Sequence, residues 1–250
     1  MTVNRDNRWK AGGKREWDWY PILEREKKQP IPHDKLHGWL VDSANRDRLE
    51  DHLDWYLRID NNYAGRQFEW FASQANGSRF TSFHILAAES LSVKVPSTAA
   101  RWLLEPDRNR DSFLESIHQS LSPGADTLWS CEVSLLQGDK KNLDTSGAMY
   151  RLFYLLRDHG IGPVTSTKLL ASMFPSVIPI QDSRITSVIL PKAGENWWLI
   201  IRRLFAEADG ELQKYLDELS IPTGSENITT LRRLDIILWM EANARRISSK

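Results

Sequence analysis

The chain is short of cysteine. Cys131 is the only one in 250 residues, so no disulfide forms within the chain and no four-cysteine zinc or iron–sulfur site can be built. That fits a reducing cytoplasm. Net charge is missing as well: 33 Lys and Arg meet 33 Asp and Glu, and no whole-chain field draws the protein to a polyanion. Long apolar runs are lacking. The greasiest stretch, WWLII at 197–201, falls far below the roughly twenty residues that cross a bilayer, and MTVNRDNRWK opens with no apolar signal core. Alternating strand patterns are scarce too, apart from LSVKV at 91–95, which reads as a short strand ended by Pro96. There is no internal repeat and no low-complexity tract. These absences predict a monomeric, cytoplasmic, all-α protein without membrane contact, metal or cofactor.

What is present supports a real core, since 41% of residues are hydrophobic and 26% charged. Tryptophan is plentiful, 11 in all, and most of these rings belong inside, with one or two left to line a pocket. Residues 1–33, rich in charge and ending in QPIPH, read as an irregular arm; 34–250 reads as one helical domain. Leu49, Leu53, Tyr56 and Leu57 recur at helical spacing, as do Phe83, Leu86, Ala87 and Leu91. SerPro at 122–123 with Gly124 marks a turn, and 135–148 reads as a loop. A helix over 148–158 buries Met149, Leu152, Phe153 and Leu156. The stretch 229–246 gives another, apolar at Leu231, Leu234, Ile237 and Leu238 and widened by Trp239 and Met240.

The densest information lies at 158–185, DHGIGPVTSTKLLASMFPSVIPIQDSRI. Gly160-Ile161-Gly162 turns the chain between two helices, and Pro163 suits the first position of the second, which runs to about Phe174. A glycine turn lets backbone approach another surface closely, and a helix start offers unpaired N–H groups and a positive dipole end. Such a corner holds a phosphate without basic side chains. The donors would be the amides around Gly160, Ile161, Gly162, Val164 and Thr165, with the Thr165 hydroxyl and Lys168 as helpers, while Ile161 packs inward. An ordinary helix corner would use the same residues. Local charge adds a little, since Lys140, Lys141, Arg151, Arg157, Lys168 and Arg184 outnumber Asp144, Asp158 and Asp182 by three (6 − 3).

Asp182 follows Gly162 by 20 positions (182 − 162) and closes a Pro-x-x-Asp run from Pro179. Hairpin, spacing and Pro-x-x-Asp together resemble the helix-hairpin-helix, Gly/Pro-rich-loop, aspartate motif of the DNA glycosylase superfamily. More loosely, the Tyr63–Glu69 segment YAGRQFE and the LRRLDIILWM run at 231–240 look like those of a bacterial branch of it. The resemblance implies an all-α fold with two helical subdomains flanking a cleft, the hairpin and catalytic Asp182 lying within 148–190. It also implies a duplex DNA partner with one nucleotide flipped out. A carboxylate beside the sugar stabilises the cationic character that builds as a base–sugar bond breaks. Asp182 would fill that role and cap the next helix as well.

Strand-cutting members of that superfamily carry a lysine two positions after the second hairpin glycine, as a Schiff-base nucleophile. Val164 stands there in this chain, so a monofunctional enzyme that leaves an abasic site is expected, with Lys168 the only nearby substitute amine. The superfamily's cysteine-ligated cluster has no counterpart. Tyr63, Phe68, Glu69, Trp70 and Gln181 are candidates for the base pocket, as aromatic faces and hydrogen-bonding groups, and His84 is a further polar candidate. Repair and defence against phage with modified DNA both fit this chemistry. The alternative is a hairpin that binds DNA, or only protein, without catalysis.

Overall fold

In the computed structural model, the described residues are 31, 33–58, 63–75, 77–121, 126–189, 196–206, 210–225 and 227–247. Apart from Ile31 and His33, the arm expected over 1–33 lies outside them, as does the turn at 122–124. Among the described residues the regular structure is helical, with a lone bridge between Asp139 and Asn142. The chain is all-α. In order the helices are α1 (Leu36–Val41), α2 (Arg46–Leu57), α3 (Phe68–Gln74), α4 (Ser82–Ser90), α5 (Ser97–Leu104), α6 (Arg108–Ser120), α7 (Val133–Leu136), α8 (Ala148–Asp158), α9 (Pro163–Met173), α10 (Ser183–Ile189), α11 (Trp197–Ala206), α12 (Glu211–Glu218) and α13 (Thr230–Ile247).

Two helices are buried along most of their length and carry the rest. Leu231, Leu234, Ile236, Ile237, Leu238 and Met240 of α13 are all at most 1% exposed, so that helix is apolar around its circumference and lies inside the fold. It packs against α2, α10 and α12. On α9, every residue from Thr165 to Ser172 is buried, and the helix is held between α4 and α8. Each of the apolar positions read from 49–57 is buried, and α8 buries Met149, Leu152 and Leu156, with Phe153 at its margin.

Three expectations need correction. LSVKV is not a strand: Leu91 and Ser92 form a turn behind α4, with Ser92 at φ 62°, and the chain runs on to Pro96 and α5 without pairing. Its alternation comes from packing a connection, with Leu91 and Val95 buried beneath it. The loop read over 135–148 opens with the end of α7 and contains a 3-10 turn, Leu143–Thr145. On α4 the inner face is His84, Ala87, Ala88 and Leu91, whereas Leu86 is 41% exposed. The physical reason is His84. It closes a capping box with Thr81, whose N–H donates to Nδ1 at 3.0 Å, and this turns the imidazole inward.

The last turns of α13 also bury an ion network. Glu241, 0% exposed, accepts from Arg48 Nε at 2.8 Å and lies 3.2 Å from His52 Nε2. Burial holds His52 below its usual pKa, although Glu241 pulls the other way. Removing Glu241 leaves a half-buried arginine without its carboxylate, so Glu241→Ala should cost about 2–3 kcal/mol in urea unfolding, below the full penalty of a broken buried pair. Its helical circular dichroism should persist below the transition.

Candidate functional site

The corner between α8 and α9 is built by its two glycines in different ways. Gly160 takes φ +79°, the left-handed conformation that ends a helix, and Ile161 N–H reaches back to Leu156 O at 3.2 Å. Ile161 itself is 1% exposed and anchors the turn. Gly162 caps α9 at φ −63°, ψ 158°, which any residue can adopt, and a Cβ placed there would meet nothing within 4 Å. The fold does not itself require glycine at 162. Gly160, Gly162 and Pro163 are exposed and Val164 is half-buried, so the first turn of α9 opens outward. Thr165 is largely buried at 8% exposure.

Lys168 is not on that outer face. One turn further along α9 and 4% exposed, it donates from Nζ to Leu91 O at 2.8 Å and pairs with Asp182 Oδ2 at 3.2 Å. The expectation of a phosphate helper is corrected to an inward partner of the candidate acid. Burial lowers the lysine's pKa, against the pull of Asp182. Asp182 Oδ1 meanwhile accepts from Arg184 N–H at 2.9 Å, and its carbonyl accepts from Thr186 N–H at 3.0 Å. The residue therefore caps α10 with one oxygen and meets Lys168 with the other.

The segment before Asp182 is suspended from the two buried helices. Ile180 N–H donates to Asp235 Oδ2 of α13 at 3.1 Å, and Gln181 N–H donates to Thr167 Oγ1 of α9 at 3.2 Å. Asp182 then faces a pocket lined by Tyr56, Tyr63, Lys168, Arg232, Asp235 and Trp239. The Tyr63 and Trp239 rings stack at 5.3 Å and 26°, and Tyr56 meets Tyr63 edge-on at 5.0 Å. Arg232 donates to Glu69 Oε1 and to the Tyr56 hydroxyl, both at 2.6 Å, and so braces the wall from behind. Burial raises the Tyr63 hydroxyl to about 12, so it stays a donor. The free space beside the carboxylate is about 20 Å³, enough for a water molecule and not for a base.

The five base-pocket candidates do not converge. Tyr63 alone shares the pocket with Asp182. Phe68 and Glu69 line a separate cleft that has Arg232 and Asp235 as common walls. Trp70 is 54% exposed and packs edge-on against Phe71. Gln181, next to Asp182 on an irregular segment, lines a third hollow with Tyr150, Phe153, Tyr154 and Trp198. His84 belongs to the Glu69 cleft, where burial lowers it to about 4. Sequence reading missed Tyr56, Arg232, Asp235 and Trp239. The signal was in RRLDIILW, where Arg232, Asp235 and Trp239 fall at i, i+3 and i+7 on one face of an otherwise apolar helix.

Among the described residues no cluster of His, Cys, Asp and Glu is arranged to hold a metal, and no helix is long and apolar enough to cross a membrane. Asp235 is the most perturbed acid of the site, raised to about 7 by burial. Above that pH it is ionised in folded and unfolded chains alike. As pH falls from about 7 towards its ordinary value of 3.8, the folded state takes up the proton first, so this group favours folding increasingly as acid is added. Asp235→Asn should remove that trend. The stability difference between wild type and variant, measured by urea unfolding, should therefore change between pH 8 and pH 5.5, with the wild type gaining on the variant in acid.

No curated protein and no solved structure matches the chain. One family profile does, over residues 49–242, a span that takes in α9, Asp182 and α13 up to Ala242. By that match the chain belongs to the family described as a family of unknown function (DUF6308).

Proposed function

We propose that the protein is a DNA glycosylase that flips a damaged or modified base from duplex DNA and hydrolyses its bond to the sugar. The observation that carries this reading is the joining of an outward-facing hairpin to Asp182 through Lys168, with a carboxylate to ammonium distance of 3.2 Å. The glycine turn and the first amides of α9 would hold a backbone phosphate. On this reading the α8–α9 hairpin and the α2–α3 region flank the cleft that receives the nucleotide, like the two subdomains of the helix-hairpin-helix glycosylases.

The chemistry follows from the pocket's groups. As the N-glycosidic bond breaks, the base leaves with the bonding pair and takes a proton from solvent, and positive charge builds on the sugar. The Asp182 carboxylate faces that charge. Water, for which the pocket has room, adds to C1′ and gives its proton to Asp182, leaving an abasic site. Lys168 keeps the half-buried carboxylate compensated while the site is empty. The Tyr63–Trp239 pair offers a flat face to the extruded nucleotide; admitting a base requires side chains around the present 20 Å³ to move.

Two measurements test this. Duplexes carrying uracil, alkylated, oxidised, hydroxymethylated or glucosylated bases should include one that yields alkali-sensitive sites with wild type. Asp182→Asn should slow that release by about 10²–10³-fold while retaining duplex binding. Full activity in the variant would remove Asp182 from the mechanism, whereas binding with no base released from any duplex would replace the enzyme by a non-catalytic DNA-binding hairpin. Strand cutting without alkali, trapped by borohydride and lost in Lys168→Gln, would move the nucleophile from water to Lys168. Separately, Gly162→Leu should leave the melting temperature nearly unchanged, because the site of the new side chain is open. Its duplex affinity should fall about tenfold through loss of close backbone approach, a cost of about 1.4 kcal/mol.

A further inference from the structure

The cleft behind the Arg232–Asp235 wall is larger than the Asp182 pocket. It encloses about 320 Å³, at the small end of ligand-sized sites. Phe68, Met173, Pro175 and Ile178 give it apolar sides, and Glu69, His84, Arg232 and Asp235 contribute its polar groups. Most of these polar groups are already committed. Arg232 is held by Glu69 and Tyr56, Asp235 Oδ2 accepts from Ile180 N–H, and Ser172 Oγ donates to Leu169 O at 2.7 Å.

Two groups are not. Glu69 Oε2 is buried with no hydrogen-bond partner among the described residues, while its other oxygen takes Arg232. A buried acceptor left unpaired is costly, so it marks a place where a donor is wanted. His84 supplies the complement. It is neutral, and since Nδ1 accepts from Thr81 N–H, its proton resides on Nε2 and is available to donate. The Glu69 charge is already balanced by Arg232 at 2.6 Å, which favours a neutral N–H donor over a cation.

We infer that this cleft is a binding site for a free, aminated nitrogen heterocycle, an aminopyrimidine or aminopurine whose amino group donates to Glu69 while the adjacent ring nitrogen accepts from His84. The apolar sides take the faces of the ring, and Glu69 and His84 take its edge. The site is distinct from the Asp182 pocket and shares two walls with it. Its ligand class coincides with what base excision would release, yet binding here needs neither DNA nor turnover.

Isothermal titration of the full chain with 1-methylcytosine and 9-methyladenine tests the assignment, with their dimethylamino counterparts as controls. At least one amino compound should bind, and its dimethylamino counterpart, which has no N–H to give, should bind at least tenfold more weakly. Asn227→Trp places a bulky ring on the exposed rim and should abolish binding without changing the thermal melt. Ala72→Phe, filling the cleft from α3, should do the same. Absence of binding by either amino compound at millimolar concentration, equal binding of the dimethylamino controls, or full binding by both folded variants would overturn the proposal. None of those results bears on base release at Asp182.

Discussion

A buried helix that carries charge is the constraint from which the rest of the structure follows. Helix α13 has an apolar circumference, yet Arg232, Arg233, Asp235 and Glu241 all lie within it at 8% exposure or less. Each must find its partner on a different element. Arg232 reaches Tyr56 of α2 and Glu69 of α3; Arg233 Nη1 reaches the carbonyls of Leu216 and Leu219 at the end of α12 at 3.1 and 3.0 Å; Asp235 takes the backbone of Ile180; Glu241 takes Arg48 and His52 of α2. Hydrophobic burial sets no register, because it is non-directional. These directed bonds do, since each leaves an unpaired charge in the interior if its element shifts.

The candidate site inherits its geometry from that helix. Asp182 is near neither end of α13 in sequence, but the carbonyl-rich run before it is fastened to Asp235 on one side and to Thr167 on the other. The carboxylate therefore arrives beside Lys168 with its backbone already fixed, and only side-chain torsions remain to be ordered. The aromatic wall is tied to the same bracket, since Arg232 holds Tyr56, which packs on Tyr63, which stacks on Trp239. Pocket and core are one network.

Local signals were legible where local physics decides. The Gly-x-Gly-Pro turn, its proline-led helix and the α8 stripe could be read because cap chemistry and 3.6-residue periodicity act within a few residues. Asp182 was singled out by its resemblance to a known motif and not by local physics. The inward turn of Lys168 was not legible, because helix spacing says which residues share a face but not which face meets the core. The four charges of α13 hid in a helix read as plainly apolar, since what identifies them is partners up to 193 positions away. The base-pocket candidates are spread for a related reason: they were chosen by residue type, and Phe68 and Glu69 share one cleft while Trp70, next on the same helix, faces outward. On α4 the aromatic residue drew attention from the histidine whose capping bond sets the rotation.

The irregular run from Pro179 to Asp182 has a consequence of its own. Neighbouring residues on it look opposite ways, Gln181 into the hollow of Tyr150 and Tyr154, Asp182 towards Lys168. Parity is thus written into the chain. Insertion or deletion of one residue would not shift the acid slightly; it would exchange the occupants of two hollows, delivering an amide to the ammonium and a carboxylate to the tyrosines.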